Sequence, residues 1–182
     1  MNLLETDVMI DVETLGVTAN AVVLSIGAVA FRTSTKEILS EFEVIIDVES
    51  ALEFGDVDAS TLKWWMKQER VARDLVMSGE TETEDAVYLF KDWYLSNTPS
   101  RVWGLGPSFD ITLMERLFHF CDKEILWRPW QIRDVRTVID IVSPLMSRPS
   151  KFEGTEHSAI DDARHQAIFT MDMLTLICER MK

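Results

Sequence analysis

The sequence predicts an α/β fold, a mixed sheet of three antiparallel strands followed by parallel strands and flanked by helices. Three observations carry that expectation. Residues 7–13, 21–31 and 38–47 are successive strand-like segments joined by short turns. Residues 101–118 read as a strand, a Gly-Pro turn and a helix, and from His157 the chain becomes one long apolar helix. At 182 residues the chain is sized for a single domain, 1–182, that buries about two thirds of its unfolded surface.

The first strand sets the problem that the rest of the chain must solve. Its apolar run ends in Asp11 and Glu13, and alternation along a strand points both side chains to one face. Two carboxylates a few ångströms apart repel and resist desolvation, so the site needs cations. A hard divalent metal suits such oxygen donors. The β-branched run 21–31 has the character of a central strand, and 38–47 alternates, which makes an up-down-up meander.

Residues 58–78 are expected to form a helix, capped by Asp58 or Ser60, with a basic face of Lys63, Lys67, Arg70 and Arg73. Its neighbours Trp64 and Trp65 diverge by about 100°, so one of them should face a crevice or a partner chain. A further amphipathic helix runs from Thr81 or Thr83 to about Ser96. The strand at 101–104 and the Gly106-Pro107 turn place Asp110 in or just before the next helical turn, at the carboxyl end of a strand, where sites in α/β sheets collect. A short strand near 131–134 and a helix through Val138 and Ile141 lead to a loop over 143–156. His119 is given no role.

Composition narrows the class. The apolar fraction is 47% and the charged fraction 27%, with no low-complexity tract, so an ordered globular chain is expected. The longest apolar run is too short to span a bilayer and the N-terminus lacks a basic leader, which points to the cytoplasm and to no membrane. Cys121 and Cys178 sit in helical apolar patterns and read as core residues. The net charge of −13 argues against a nucleic-acid partner, but it is uneven: residues 1–60 carry 2 basic and 12 acidic groups, while residues 128–151 carry Arg128, Arg133, Arg136, Arg148 and Lys151 against Asp134 and Asp140, and an enzyme that engages a chain end through metals needs no long basic groove.

Taken together, Asp-x-Glu at 11–13, the segment Trp-Gly-x-Gly-x-x-Phe-Asp at 103–110 and His-x-Ala-x-Asp-Asp-Ala at 157–163 resemble the DnaQ-like DEDDh 3′-5′ exonucleases, whose fold is ribonuclease-H-like. Thr-x-x-Trp-Trp-x-x-Gln at 61–68 is similar to a helix of the phage-type exodeoxyribonucleases and the Rv2179c-like exoribonucleases. Where relatives often carry Asn in the Gly-x-Gly segment, this chain has Leu105.

The resemblance implies that Asp11, Glu13, Asp110 and Asp162 hold two ions, Mg²⁺ or Mn²⁺, and that His157 is the general base. Asp161 is the rival of Asp162; the five-residue spacing from His157 favours Asp162. Thr14, Leu15, Phe109 and one of Trp64 or Trp65 are the expected contacts of the terminal nucleotide, by grip and by stacking. The implied activity is release of nucleoside monophosphates from the 3′ end of single-stranded nucleic acid by a homodimer, with DNA placed ahead of RNA. An exoribonuclease of the same fold, or a catalytically silent nucleic-acid-binding module, are the alternatives.

Overall fold

The structure, a computed structural model, describes residues 5–144 and 152–181. Strands β1 (Asp7–Thr14), β2 (Val23–Arg32) and β3 (Glu37–Ile45) form the antiparallel meander. Strands β4 (Arg101–Gly104) and β5 (Ile132–Asp134) then add in parallel, giving one sheet in the order β3-β2-β1-β4-β5. The acid-bearing strand is therefore central. It is antiparallel to β2 and parallel to β4.

Alternation along β1 divides two cores. Val8, Ile10 and Val12 join one cluster, under α4 (Thr83–Asn97) and α5 (Asp110–Phe120). Met9 joins the other, with Trp103 and side chains of α6 (Val135–Val142) and α7 (Ala159–Arg180). Asp11 and Glu13 share the face of Met9, as the period of two requires. Both acids thus look toward α7.

Close approach of α7 depends on one residue. Gly27 pairs with Asp11 across the β1–β2 ladder, and a Cβ built on it would lie 2.1 Å from the carbonyl carbon of Ala159. Any side chain there would push the start of α7 off the sheet.

Three expectations need correction. The 58–78 helix is two short helices, α2 (Ala59–Trp65) and α3 (Arg70–Val76), following the one-turn α1 (Val48–Leu52). The amides of Lys67 and Gln68 close back on the carbonyls of Trp64 and Trp65, which tightens the final turn, and Glu69 is extended. The apolar side chains of Leu62, Met66 and Val71 in this stretch are exposed. His157 does not open the long helix: it stands two residues before it with φ 65°, and Ser158 is the N-cap. Of the predicted 143–156 loop and positive stretch, residues 145–151, including Arg148 and Lys151, lie outside the described residues. Cys121 and Cys178 are free; Cys121 joins the core, as expected, while Cys178 is only partly buried.

Candidate active site

The end of β1 outruns its parallel neighbour. The register with β4 pairs Asp7, Val8 and Met9 with Arg101, Val102 and Trp103, so Asp11 and Glu13 lie beyond the shared ladder, where the chain after Gly104 turns away. That turn returns as α5, whose first residue is Asp110. Its carboxylate accepts hydrogen bonds from the backbone of Val12 and from its own amide, which ties the helix start to β1.

The fourth acid comes from α7. Asp162 lies in its first turn and accepts the backbone N–H of His157 at 3.0 Å. That bond fixes the left-handed residue just outside the helix, a conformation uncommon for a non-glycine side chain. Oxygen atoms of Glu13 and Asp162 and a ring nitrogen of His157 lie within 4.8 Å of one another. The structure thus gathers Asp11, Glu13, Asp110, Asp162 and His157 from β1, α5 and the approach to α7.

The electrostatics are those of an uncompensated cluster. Burial, then the neighbouring carboxylates, raise Asp11 well above the usual carboxylate range. The same causes push Glu13 up to about 8. Burial pushes Asp110 up to about 7 against the opposing backbone hydrogen bonds, and Asp162 up to about 6 against the opposing influence of His157. Oxygen donors that crowd at such cost fit a hard divalent cation, whose charge would restore all four to the ionised form.

Asp161 takes a different path. It accepts the amide of Thr155 at 2.8 Å and pairs with Arg164, so it closes the Gly154 turn rather than facing the acids. A Cβ on Gly154, where φ is 123°, would meet the Asp161 carboxyl at 2.5 Å. The His165 ring meets the Phe152 ring at a tilt, with centroids 5.1 Å apart.

The proposed nucleotide contacts divide. A cavity of about 500 Å³ beside the acids is lined by Glu13, Thr14, Gly16, Thr61, Trp64 and Phe109, among others. Of the tryptophan pair, Trp64 is 40% exposed and its ring meets the His157 ring edge-on, with centroids 4.7 Å apart. Trp65 is 3% exposed and its indole N–H donates to the Thr14 carbonyl at 2.8 Å, so its side chain clamps the end of β1 rather than offering a stacking surface. Leu15, also 3% exposed, belongs to the core, and its backbone is bonded on both sides: its amide donates to the Val22 carbonyl at 2.9 Å and its carbonyl accepts the Asp58 amide at 2.7 Å. The Thr14 hydroxyl donates to the Gly16 carbonyl.

Sequence reading missed two residues at this site. Gln166, one turn beyond Asp162 on α7, donates its amide to Asp11 Oδ1 at 2.8 Å, and the four-residue spacing was the available signal. Arg136, whose charge opposes the upward shift of Asp110, comes from α6 and was read only as one charge of a basic stretch.

Comparison with known proteins agrees with this geometry. The nuclease domain of 3′hExo, a DEDDh family member bound to rAMP, superposes with a TM-score of 0.65 at 12% identity, covering 97% of this chain and 94% of that one. The zinc-bound E. coli exonuclease I complex with single-stranded DNA gives a TM-score of 0.65 at 13% identity, over 97% of this chain and 41% of that one. An exodeoxyribonuclease of Enterobacteria phage T4 is 25% identical, over 74% of this chain and 70% of that protein. The class is that of the DEDDh 3′-5′ exonucleases, on a ribonuclease-H-like fold. Within it, the chain belongs to the family of the 3′-5′ exoribonuclease Rv2179c-like domain, which it matches over residues 6–174. DEDDh enzymes are metal-dependent, and among the described residues no helix is long and apolar enough to cross a membrane.

Proposed function

We propose that this chain removes nucleoside monophosphates one at a time from the 3′ end of a single strand, with Asp11, Glu13, Asp110 and Asp162 holding two divalent ions. The observation that carries the reading is that Asp11, Glu13, Asp110 and Asp162 repel one another at one place, with His157 within 4.8 Å of Glu13 and Asp162, beside an apolar cavity lined by Trp64 and Phe109. Bound there, Mg²⁺ or Mn²⁺ would supply activation of the attacking water and neutralisation of charge on the phosphodiester.

The chain's own residues do the rest. His157 sits where its ring nitrogen can take a proton from a water positioned beside Glu13 and Asp162. The hydrogen bond from its backbone to Asp162 couples the placement of base and ligand. Trp64 and Phe109 offer flat apolar surface to any terminal base, which suits an enzyme indifferent to sequence. Thr14 and Gly16 line the cavity floor, so the sugar would meet the end of β1.

For the sugar, RNA is the first substrate to test, because the exoribonuclease family match takes in residues 6–174. The likeness to the phage exodeoxyribonuclease supports DNA as the second reading. Matched 3′-labelled and 5′-labelled oligonucleotides of each sugar, incubated with Mg²⁺, Mn²⁺ or EDTA, decide it. Immediate release of a labelled 3′ mononucleotide, a descending 5′-labelled ladder and silence in EDTA are expected, and the faster sugar names the substrate. Internal cuts, or release that starts at the 5′ end, would overturn the reading.

A further inference from the structure

His157 is fixed by its backbone and much less by its ring. Its amide donates to Asp162 at 3.0 Å and its φ is 65°, so the direction of its Cα–Cβ bond is set. Among the described residues the imidazole itself makes no hydrogen bond and no ion pair. A histidine that works as a base is commonly oriented through its second ring nitrogen, by a carboxylate or a carbonyl. Here the half-buried ring instead borders a second cavity, of about 640 Å³, which Gln68, Val71 and Phe152 also line. That open side leaves the ring room to turn.

What meets the imidazole is a pair of indoles. Trp64 approaches edge-on, with centroids 4.7 Å apart and planes at 74°, and Trp65 stands farther off, at 6.2 Å and 80°. The two indoles meet each other at 5.0 Å and 76°, so the three rings form one edge-to-face cluster. Trp65 is its fixed member, because the indole N–H is bonded to the Thr14 carbonyl at the end of the strand that bears Glu13.

Trp64 is its adjustable member. The side chain is 40% exposed, and among the described residues its N–H has no acceptor. Of the three rings it is the one that lines the 500 Å³ cavity assigned to the terminal nucleoside. The same indole therefore touches the space for the base of the leaving nucleotide and the imidazole that would take the proton from water.

We infer that Trp64 is a positioning residue for His157, and that the terminal base, by stacking on Trp64, fixes the imidazole for the hydrolytic step. The inference rests on the exonuclease reading of the site. It gives the base a part in the rate of cleavage as well as in binding, because contacts remote from the reacting bond raise turnover when they hold the catalytic groups in place.

The test is single-turnover cleavage of the 3′-terminal linkage, with enzyme at saturation, on two oligonucleotides of the sugar that wild type prefers. They differ only in the last nucleotide, which carries a base in one and is abasic in the other. Wild type should cleave the abasic end roughly tenfold or more slowly, within the hundredfold that a misplacement of about 1 Å can cost. Trp64→Ala should lower the saturating rate on the intact end to about that of the abasic end, and Trp64→Phe, which keeps a ring, should restore part of the difference. A change confined to the half-saturating concentration in Trp64→Ala would mean that Trp64 binds the base and does nothing for His157. An abasic penalty that persists undiminished in Trp64→Ala would mean that the base acts by another route. Either result overturns the inference, as do equal saturating rates on the two ends in wild type. Should wild type cleave neither oligonucleotide, the exonuclease reading fails separately, and NMR in EDTA decides Trp64 from the imidazole signals of His157, one of three histidines in the chain. Broader or split signals in Trp64→Ala than in wild type support positioning, and equal or narrower ones overturn it.

Discussion

Strand β1 carries a buried carboxylate at its start and two half-buried ones toward its end, and the two ends are treated in opposite ways. At its start, Asp7 is fully buried and meets the guanidinium of Arg101, its register partner on β4, through Nε to Oδ1 at 2.5 Å and a second nitrogen to Oδ2 at 2.9 Å. At its other end, Asp11 and Glu13 lie past the β4 ladder and face more acids. The first arrangement spends a cation of the chain itself on one acid, while the second leaves a charge deficit that only an outside cation can fill. A buried carboxylate is thus read as structure or as site by what faces it, not by its burial.

The comparison breaks most sharply on Asp162→Asn. Turnover should fall by roughly a thousandfold or more, on the scale of a transition-state contact at its upper range, while the Tm of the EDTA-treated protein rises, because one repelling charge is gone. Activity within tenfold of wild type would remove Asp162 from the site. Asp7→Ala should do the reverse. It leaves Arg101 buried without its carboxylate, so stability should drop by about 3–5 kcal/mol in urea titration, while the folded fraction keeps its turnover.

Gln166→Ala sharpens the comparison at intermediate scale. Gln166 is 8% exposed and its amide orients Asp11, much as Arg101 orients Asp7, but with a neutral group that adds no charge. Removing it should weaken the Mg²⁺ or Mn²⁺ requirement curve by about 10–100-fold, read as the metal concentration for half-maximal activity. An unchanged curve would leave Gln166 as packing alone.

The smallest effect is a pH slope. Glu13 at about 8, Asp110 at about 7 and Asp162 at about 6 all hold protons in the metal-free native state that the unfolded chain, with ordinary values of 3.8 to 4.5, has already lost. Their neutral forms are the ones that folding favours, so stability is greatest below the unfolded values and falls as pH climbs toward 8. The Tm in EDTA should therefore drop by several degrees from pH 5 to pH 8.5, at about 2–4 °C per kcal/mol for a chain of this size. Mg²⁺ should flatten the slope, and Asp11→Asn should reduce it; a flat profile in EDTA would mean that the acids are not mutually repelling.

Most of the frame was legible along the chain because its signals are local. A period of two put Asp11 and Glu13 on one face, the Gly-Pro turn put Asp110 at a helix start, and the spacing from His157 chose Asp162 over Asp161. The tryptophan pair was legible only as a choice. Helical geometry requires Trp64 and Trp65 to diverge, but the contact of the Trp65 indole with the Thr14 carbonyl spans 51 residues of sequence, and it decides which ring is left for a ligand. His157 outside its helix, in a left-handed conformation, is equally invisible locally, since a bond to Asp162 holds it there.

By itself, then, the sequence determined that Asp11 and Glu13 share a strand face and that Asp110 opens a helix, because alternation and turns are written within a few residues of each acid; the resemblance of its motifs added His157 and Asp162 to the candidate set. Only the tertiary structure decided how these groups meet: that β1 runs past β4, that Gly27 lets α7 settle on the sheet opposite Asp11, and that Leu15 and Trp65 turn inward. Those outcomes depend on close approach between segments far apart in the chain, and a glycine marks where such an approach is possible without saying what will come to fill it.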